Sequence, residues 1–147
     1  MKRYSLADYI LSVEIPEDLG FGVTSVSIGG EGSYLDKISI EGGNEIFKTT
    51  GDSTGSWVHT KNLDMTGSVE VSISQMSDKV ALLKSLLTVY KSASSSIDGM
   101  TLTLRDNDNN TIAICYDCLL TGYPSQDFGE SPGSQSWSFT CGKVTFL

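Results

Sequence analysis

Residues 66–87 read TGSVEVSISQMSDKVALLKSLL, a stretch whose hydrophobic period changes midway. Between Gly67 and Ser74 apolar and polar residues alternate, which is typical of a strand with one buried face. From Ser77 onward apolar residues recur every three or four positions, which indicates a helix over about 77–93 with Ser77 as its N-cap. On the strand we expect one set of side chains to face the core and the other to face outward: Val69, Val71 and Ile73 inward, and Ser68, Glu70, Ser72 and Ser74 outward.

The predicted helix has an unusually wide apolar face. At 100° per residue, seven apolar side chains cover about half of its circumference, whereas a helix that rests on one sheet needs a stripe of roughly 100°. Two interpretations stay open: the helix also contacts a neighbouring subunit, or it sits deep in a groove of its own sheet. The seven residues are Val80, Leu82, Leu83, Leu86, Leu87, Val89 and Tyr90.

Most of the remaining sequence alternates in the same way as residues 67–74, which predicts a mainly β fold: an antiparallel β-sandwich or half-barrel with one flanking helix. Further strands are predicted in DYILSVEI, FGVTSVSIGG, LDKISIEGG, MTLTLRD, NTIAICYDCLL and SWSFTCGKVTFL. After Cys141 the apolar parity reverses, which a bulge at Gly142 would produce. In NTIAICYDCLL we expect one face to hold Ile112, Ile114, Tyr116, Cys118 and Leu120.

Residues 41–66 form a long polar segment rich in Gly and Thr. A segment of this length is too long for an ordinary hairpin loop. We expect EIFKTT and SWVHTK to build a protruding two-stranded arm around the turn GDSTG. With 147 residues and no internal repeat, the chain is predicted to be a single domain over 1–147.

Charge and hydropathy exclude several classes. The chain has 10 basic and 18 acidic residues and a net charge of −8, which argues against a nucleic-acid-binding protein. No stretch approaches the ~20 apolar residues of a membrane span, and the N-terminus lacks the core of a signal peptide. We therefore expect a soluble protein, made and kept in a reducing cytosol, without membrane contact.

The sequence offers little for catalysis or for metal binding. His59 is the sole histidine, and neither a nucleophile elbow nor a phosphate-binding loop occurs. Asp106, Asp108 and Asn110 imitate the start of a calcium loop, but a hairpin turn explains them more simply. Cys115 and Cys118 are three positions apart on a predicted strand, so we expect them on opposite faces and not on one metal. No catalytic residue, metal or cofactor is expected.

The order of these elements resembles the tail tube proteins of contractile-tailed bacteriophages. The likeness covers most of the chain from about residue 5 onward. It also includes the long arm with its GDSTG turn. The features that carry it are a strand ending at Gln75 before the helix at Ser77, a turn with Gly122, Pro124 and Ser125, the triplet Phe128-Gly129-Glu130, and a last strand with Trp137 and Phe139.

The resemblance implies a structural virion protein: homohexameric rings stack into a hollow tube through which phage DNA passes without specific binding. It implies a tail sheath protein, a tape measure protein and initiator and terminator proteins as partners, with assembly in the host bacterial cytoplasm. Six chains at −8 each would give a ring of −48, which would keep DNA from adhering to the wall. Basic residues near the arm, Lys37, Lys48 and Lys61, leave open which acids face the lumen.

Three groups of residues are candidates for assembly contacts under this resemblance. The ring-stacking candidates in the arm are Glu45, Phe47, Lys48, Asp52 and Trp57. The candidates for the lumen are Glu70, Ser72 and Ser74. The candidates for contacts between subunits are Leu82 and Leu86 in the helix and Tyr123 and Phe128 in the loop that follows the last hairpin.

Two other functions remain open from the sequence. One is the inner tube of a phage-derived contractile bacteriocin or secretion system, which has the same architecture. The other is a small ligand-binding β-sandwich, which would need exposed aromatic side chains that converge on one cleft. Its candidates are Trp57, Trp137, Tyr123 and Phe128.

Overall fold

A computed structural model describes residues 3–30, 33–43, 45–93 and 98–147. Two single-turn 3₁₀ helices, Leu6–Asp8 and Glu17–Leu19, precede and follow the first strand. The α-helix, α1, spans Lys79–Ser92. The strands are β1 (Ile10–Glu14), β2 (Ser25–Ile28), β3 (Leu35–Gly42), β4 (Phe47–Gly51), β5 (Trp57–Lys61), β6 (Gly67–Ser74), β7 (Met100–Arg105), β8 (Thr111–Leu120) and β9 (Ser134–Phe146).

Seven of the strands form one antiparallel sheet in the order β2-β1-β7-β8-β9-β6-β3, and within the described residues β4 pairs only with β5. In β6, Val69, Val71 and Ile73 are fully buried, as the alternation predicted. Burial of each such side chain stabilises the fold by roughly 1.5–3 kcal/mol. The predicted class, mainly β and antiparallel with one flanking helix, is confirmed.

The sheet curls into a half-barrel because of its connectivity. Strands β2 and β3 follow each other in sequence yet lie at opposite edges of the sheet. A flat sheet would separate these edges by six spacings of about 4.8 Å, roughly 29 Å. The seven steps between consecutive residues from Ile28 to Leu35 span at most about 24 Å when fully extended. Gly30 and Tyr34 have positive φ angles, +79° and +48°, so the chain is not fully extended at these two residues and the edges lie closer still.

Helix α1 packs its apolar side on the concave core of this half-barrel. Val80, Leu83, Leu86 and Leu87 are buried, and Leu82, Val89 and Tyr90 are partly buried against the same core. The wide apolar face is therefore largely used within the subunit. The predicted cap differs in detail: Asp78 occupies the N-cap position without a side-chain capping bond, and Ser77 Oγ accepts the Lys79 N–H at 3.2 Å.

In the first half of β8, the set of side chains predicted to share one face with Cys118 and Leu120 is wrong. Ala113 and Cys115 are buried, whereas Tyr116 is exposed, and Cys118 is buried again. The cause is an irregularity at Asp117, which has φ +55° and where the pairing of β7 with β8 shifts by one residue. Cys115 and Cys118 consequently both face the core, and the expectation that they lie on opposite faces is wrong.

The parity reversal in β9 is confirmed, since Cys141 and Val144 are both buried. The pairing of β8 with β9 nevertheless keeps a constant register, from Cys118 opposite Cys141 to Cys115 opposite Val144. Both strands therefore reverse their side chains together, at Asp117 and at Gly142 opposite it. The predicted position of the reversal thus agrees with the structure, but the predicted bulge at Gly142 is wrong, because β9 keeps its register with β8 across this residue.

Candidate assembly surfaces

The arm is a hairpin of β4 and β5 that lies outside the core. All ten of its strand residues are exposed, and Phe47, Trp57 and Val58 are 63%, 66% and 66% exposed. Pairing of Phe47 with Lys61 and of Gly51 with Trp57 places both aromatic side chains on one face of the hairpin. Glu45 and Lys48 are also exposed. A hairpin with exposed aromatic side chains and no core behind it is a candidate surface for another molecule.

Asp52 organises the turn at the tip of the arm. Its Oδ1 accepts hydrogen bonds from the Thr54 hydroxyl at 2.7 Å, the Thr54 N–H at 2.9 Å and the Ser56 N–H at 3.0 Å. The Thr54 hydroxyl first, and then these backbone donors, hold the pKa of the Asp52 carboxyl below its usual value. The carboxylate of this stacking candidate is thus engaged within its own turn.

The two edges of the half-barrel are a second surface. Among the described residues, β2 pairs only with β1 and β3 pairs only with β6. The outer backbone groups of β2 and β3 therefore lack a strand partner in the single chain. Such edges are templates for pairing with another strand.

The convex side of the sheet forms a polar face, opposite the core. Glu70 is exposed on it, and Ser72 and Ser74 are partly exposed. Ser72 Oγ lies 3.0 Å from Ser136 Oγ of β9. On the other side of β6, Lys37 of β3 pairs with Ser72. Much of this face consists of short hydroxyl side chains: Ser12, Ser25, Ser27, Ser39, Ser68, Ser134, Ser136, Ser138 and Thr140.

Among the helix candidates for subunit contacts, the structure corrects one. Leu86 is completely buried in the core of its own subunit, so its side chain does not reach a neighbour. Leu82 is partly buried against that core. In the loop, Tyr123 is 50% exposed and its hydroxyl lies 2.7 Å from Thr88 Oγ1 on α1.

Phe128 is 89% exposed although the loop that carries it, residues 121–133, is fixed at several points. The Gln75 side chain donates to the Asp127 carbonyl and accepts the Gly133 N–H at 2.9 Å. Gln126 Oε1 accepts from Lys84 Nζ at 2.9 Å, which ties the loop to α1. Sequence reasoning noted Gln75 as a strand end but gave no signal for its role, because its partners lie more than 50 residues away.

An apolar groove of about 380 Å³ lies at the base of the arm, and sequence reasoning missed it. It is lined by Ile46, Leu63, Met65, Val144 and Phe146, with Lys61 at its rim. Leu63, Met65 and Phe146 are 77%, 52% and 59% exposed. The available signals were the apolar residues at the end of the arm and the C-terminal parity reversal. Neither shows that the two segments meet.

The structure also locates the residues that were considered for catalysis and metal binding. His59 Nδ1 lies 2.8 Å from Thr49 Oγ1 on the arm. The Asp106 carboxylate accepts the N–H groups of Asp108 and Asn110, as in a hairpin turn. Within residues 3–30, 33–43, 45–93 and 98–147, no group of three or more His, Cys, Asp or Glu side chains is arranged to hold a metal ion.

The described part of the chain contains no helix long and apolar enough to span a membrane.

The aromatic side chains do not converge on a cleft. Trp137 is fully buried in the core, and Trp57 lies on the arm. Tyr123 is hydrogen-bonded to the helix, and Phe128 projects from the loop. The arrangement gives no support to a ligand-binding β-sandwich.

The fold agrees with a family comparison. The sequence profile of the bacteriophage PhiTE tail tube protein family matches residues 1–147. The chain belongs to this phage tail tube family. Its membership makes the chain a structural subunit of a tail tube.

Solved structures from an extracellular contractile injection system and from the anti-feeding prophage share the fold at low sequence identity. A chain of the sheath–tube complex of the extracellular contractile injection system PVC has a TM-score of 0.56 and 12% identity, over 99% of this chain and 91% of that one. A chain of the PVC sheath/tube terminator has a TM-score of 0.58 and 13% identity, over 100% and 98%. The tube-terminating cap of the anti-feeding prophage gives 0.54 and 14%, over 100% and 92%. No curated protein sequence matches this tail tube protein significantly.

Proposed function

We propose that this chain is the subunit of a hollow phage tail tube, in which six copies close a ring and the rings stack head-to-tail. The observation that carries the ring is the half-barrel left open between the unpaired edges of β2 and β3. Pairing of these edges between neighbouring copies would complete their hydrogen bonds and leave no free edge in the closed ring.

Stacking of the rings is assigned to the arm. Phe47 and Trp57 supply apolar area on one face of the hairpin, and Glu45 and Lys48 supply charge beside it. Asp52 contributes by keeping the tip folded through its bonds to Thr54 and Ser56. An exposed hairpin at the end of a subunit suits a contact that repeats from ring to ring without closing.

The lumen is assigned to the polar face that carries Glu70, Ser72 and Ser74. Short hydroxyl groups dominate it, so the wall would offer DNA few attractive charges. Lys37, Arg105 and Lys143 also have the parity of this face, but the net charge of the chain is −8. DNA would pass through without specific binding, and a tape measure protein would occupy the same lumen before ejection.

The opposite side, with α1 and the 121–133 loop, then faces outward. A tail sheath protein would cover it, and initiator and terminator proteins would cap the two ends. Leu82, Tyr123 and Phe128 remain candidates for contacts from this side, whereas Leu86 is excluded by burial. The role is structural, the site of action is the virion tail, and assembly takes place in the host cytoplasm.

A second candidate has the same architecture: the inner tube of a phage-derived contractile bacteriocin or secretion system. It is favoured by the likeness to chains from contractile injection systems. The tube would then carry effector proteins or nothing, instead of DNA. Genes for a capsid and a terminase beside this gene would decide for the phage tail.

Negative-stain electron microscopy of the purified protein tests the proposal. We expect rings or tubes at high concentration, or in the presence of initiator and sheath proteins. A strictly monomeric protein under all of these conditions would overturn it. A variant in which two glycines replace residues 46–62 tests the arm, because the Ile46 carbonyl accepts the Asn62 N–H at 2.7 Å and the cut ends therefore meet. It should remain folded and form no tubes.

A further inference from the structure

An exposed aromatic side chain and an apolar groove lie at opposite ends of strands β6 and β9. We infer that Phe128 of one subunit inserts into the apolar groove at the arm base of the next subunit along the tube. The inference rests on the proposed tube and deepens it by naming the partner surface, which is a second copy of this chain.

Phe128 has the properties of an anchor residue. Its side chain is 89% exposed, while Gln75 holds the backbone on both sides of it through the Asp127 carbonyl and the Gly133 N–H. A rigidly presented aromatic side chain loses little entropy on binding, and such residues dominate interface energies. In the single subunit this apolar surface is left in water.

The groove at the arm base has the matching size and chemistry. Its volume is about 380 Å³, whereas an apolar cavity of about 150 Å³ already accommodates a benzene ring. Leu63, Met65 and Phe146 line it and are more than half exposed in the single chain. A phenyl group from outside would remove apolar surface from water on both partners.

The positions of the two surfaces suit a contact that propagates. Phe128 lies at the end of β6 marked by Ser74 and Gln75, where Ser74 pairs with Ser134 of β9. The groove lies at the other end, beyond the pair of Gly67 and Cys141. Eight strand residues separate these ends by roughly 26 Å. A shift along the strands brings the loop of one copy to the groove of the next, and such a heterologous contact repeats without closing.

The charges beside the two surfaces are compatible with this contact. Asp127 and Glu130 flank Phe128, and Lys61 lies at the rim of the groove with Lys48 beside it. Two acids also lie on the groove side: Glu45 near Lys48, and Asp64, whose carboxylate accepts the Thr66 N–H at 2.9 Å. Approach of Asp127 or Glu130 to Lys61 would orient the insertion of Phe128.

Cross-linking in assembled tubes tests the contact. Because Phe128→Cys removes the inserted ring, the chain carrying both Phe128→Cys and Leu63→Cys is assembled above its raised critical concentration. Its tubes are verified by electron microscopy and treated with a short bismaleimide, with each single variant as control. The native cysteines are buried and should not react. We expect a ladder of covalent multimers that extends beyond the number of subunits in one ring. A ladder that stops at the ring number would place the contact within rings and overturn the inference.

Assembly of single variants gives an independent measurement. Phe128→Ala should stay folded and raise the critical concentration for tube formation by at least about tenfold, because interface anchors contribute this much or more. Val23→Ala is the matched control, since Val23 is 42% exposed and lies on neither surface, and it should assemble as the wild type does.

Failure of the inference and failure of the proposed function are distinguishable. Wild-type tubes together with normal assembly of Phe128→Ala, or with no cross-linked ladder, would overturn the inference and leave the tube function standing. A wild-type protein that forms no tubes even with initiator and sheath proteins would overturn both.

Discussion

The Gly99 N–H donates to Asp117 Oδ1 at 3.0 Å, and a Cβ on Gly99 would lie only 2.6 Å from that same oxygen. It would also lie 2.8 Å from the Asp117 carbonyl carbon and 2.9 Å from the Cys118 nitrogen. Asp117 itself has φ +55° and turns Cys118 toward the core. The absence of a side chain at Gly99 therefore makes room for the irregularity that shapes β8.

Gly99→Ala should consequently destabilise the subunit. Because the added methyl group meets backbone atoms as well as the carboxylate, the neighbours cannot simply rotate away. We expect a loss of about 2 kcal/mol in the free energy of unfolding, as for overpacked sites. Urea denaturation of the dilute protein measures it. The control is Gly122→Ala, where a Cβ meets nothing within 4 Å and the change should stay within about 0.5 kcal/mol. Equal stability of the two variants would contradict this explanation.

The same pair shows where sequence reasoning reaches its limit. Alternation correctly predicted the buried set in β6, because no irregularity interrupts Val69, Val71 and Ile73. In β8 the alternation is broken at Asp117, which has a left-handed backbone conformation. Gly99, 18 positions away in sequence, makes room for this conformation. Local patterns hold no information about that contact, so the inward positions before Asp117 were predicted on the wrong face.

Leu86 and Leu82 distinguish the core of the subunit from its surface. Leu86 is fully buried, so Leu86→Ala should leave a cavity and cost about 3 kcal/mol of stability. Leu82 is only partly buried, and Leu82→Ala should cost about 1 kcal/mol. Chemical denaturation of the monomer compares them. If Leu82→Ala proves the more destabilising of the two, α1 is rotated about its own axis relative to the packing described above.

The three thiols should be inert in the folded subunit. Cys115, Cys118 and Cys141 are at most 3% exposed, and Cys118 Sγ lies 2.9 Å from Cys141 Sγ. Hydrogen bonding with Cys115, together with burial, raises the pKa of the Cys118 and Cys141 thiols, whereas hydrogen bonds with Cys118 and Cys141 lower the pKa of the Cys115 thiol. Burial keeps a reagent away from all three sulfur atoms, so the Cys115 thiol is shielded as well. We expect no thiol to react with an aromatic disulfide reagent within minutes, and all three to react in denaturant. Rapid reaction of one native thiol would show that the core opens there.

As with the fold, some assembly surfaces could be predicted from the sequence and others could not. The arm could be predicted because its polarity, length and GDSTG turn are local features. The groove could not be predicted, since it forms where Met65 and Leu63 meet Val144 and Phe146 from the other end of the chain. Phe128 was a candidate from its sequence context, but its exposure depends on the distant clamp by Gln75.

The turn at the tip of the arm should depend on pH through Asp52. The pKa of the Asp52 carboxyl in the folded turn is depressed, first by the Thr54 hydroxyl and then by the N–H groups of Thr54 and Ser56. The carboxylate therefore stabilises the turn above the pKa of the unfolded state. This stabilisation disappears as the pH falls through the pKa of the folded state. We expect the Thr54 and Ser56 amide resonances to shift with a common midpoint below 3.8 in an NMR titration. Asp52→Ala should remove this transition and loosen the tip at pH 7, while the far-ultraviolet circular dichroism and the melting temperature stay almost unchanged, because the arm lies outside the core. Ser53→Ala is the control and should keep the transition. A midpoint at or above 3.8 would mean that the carboxylate does not hold the turn.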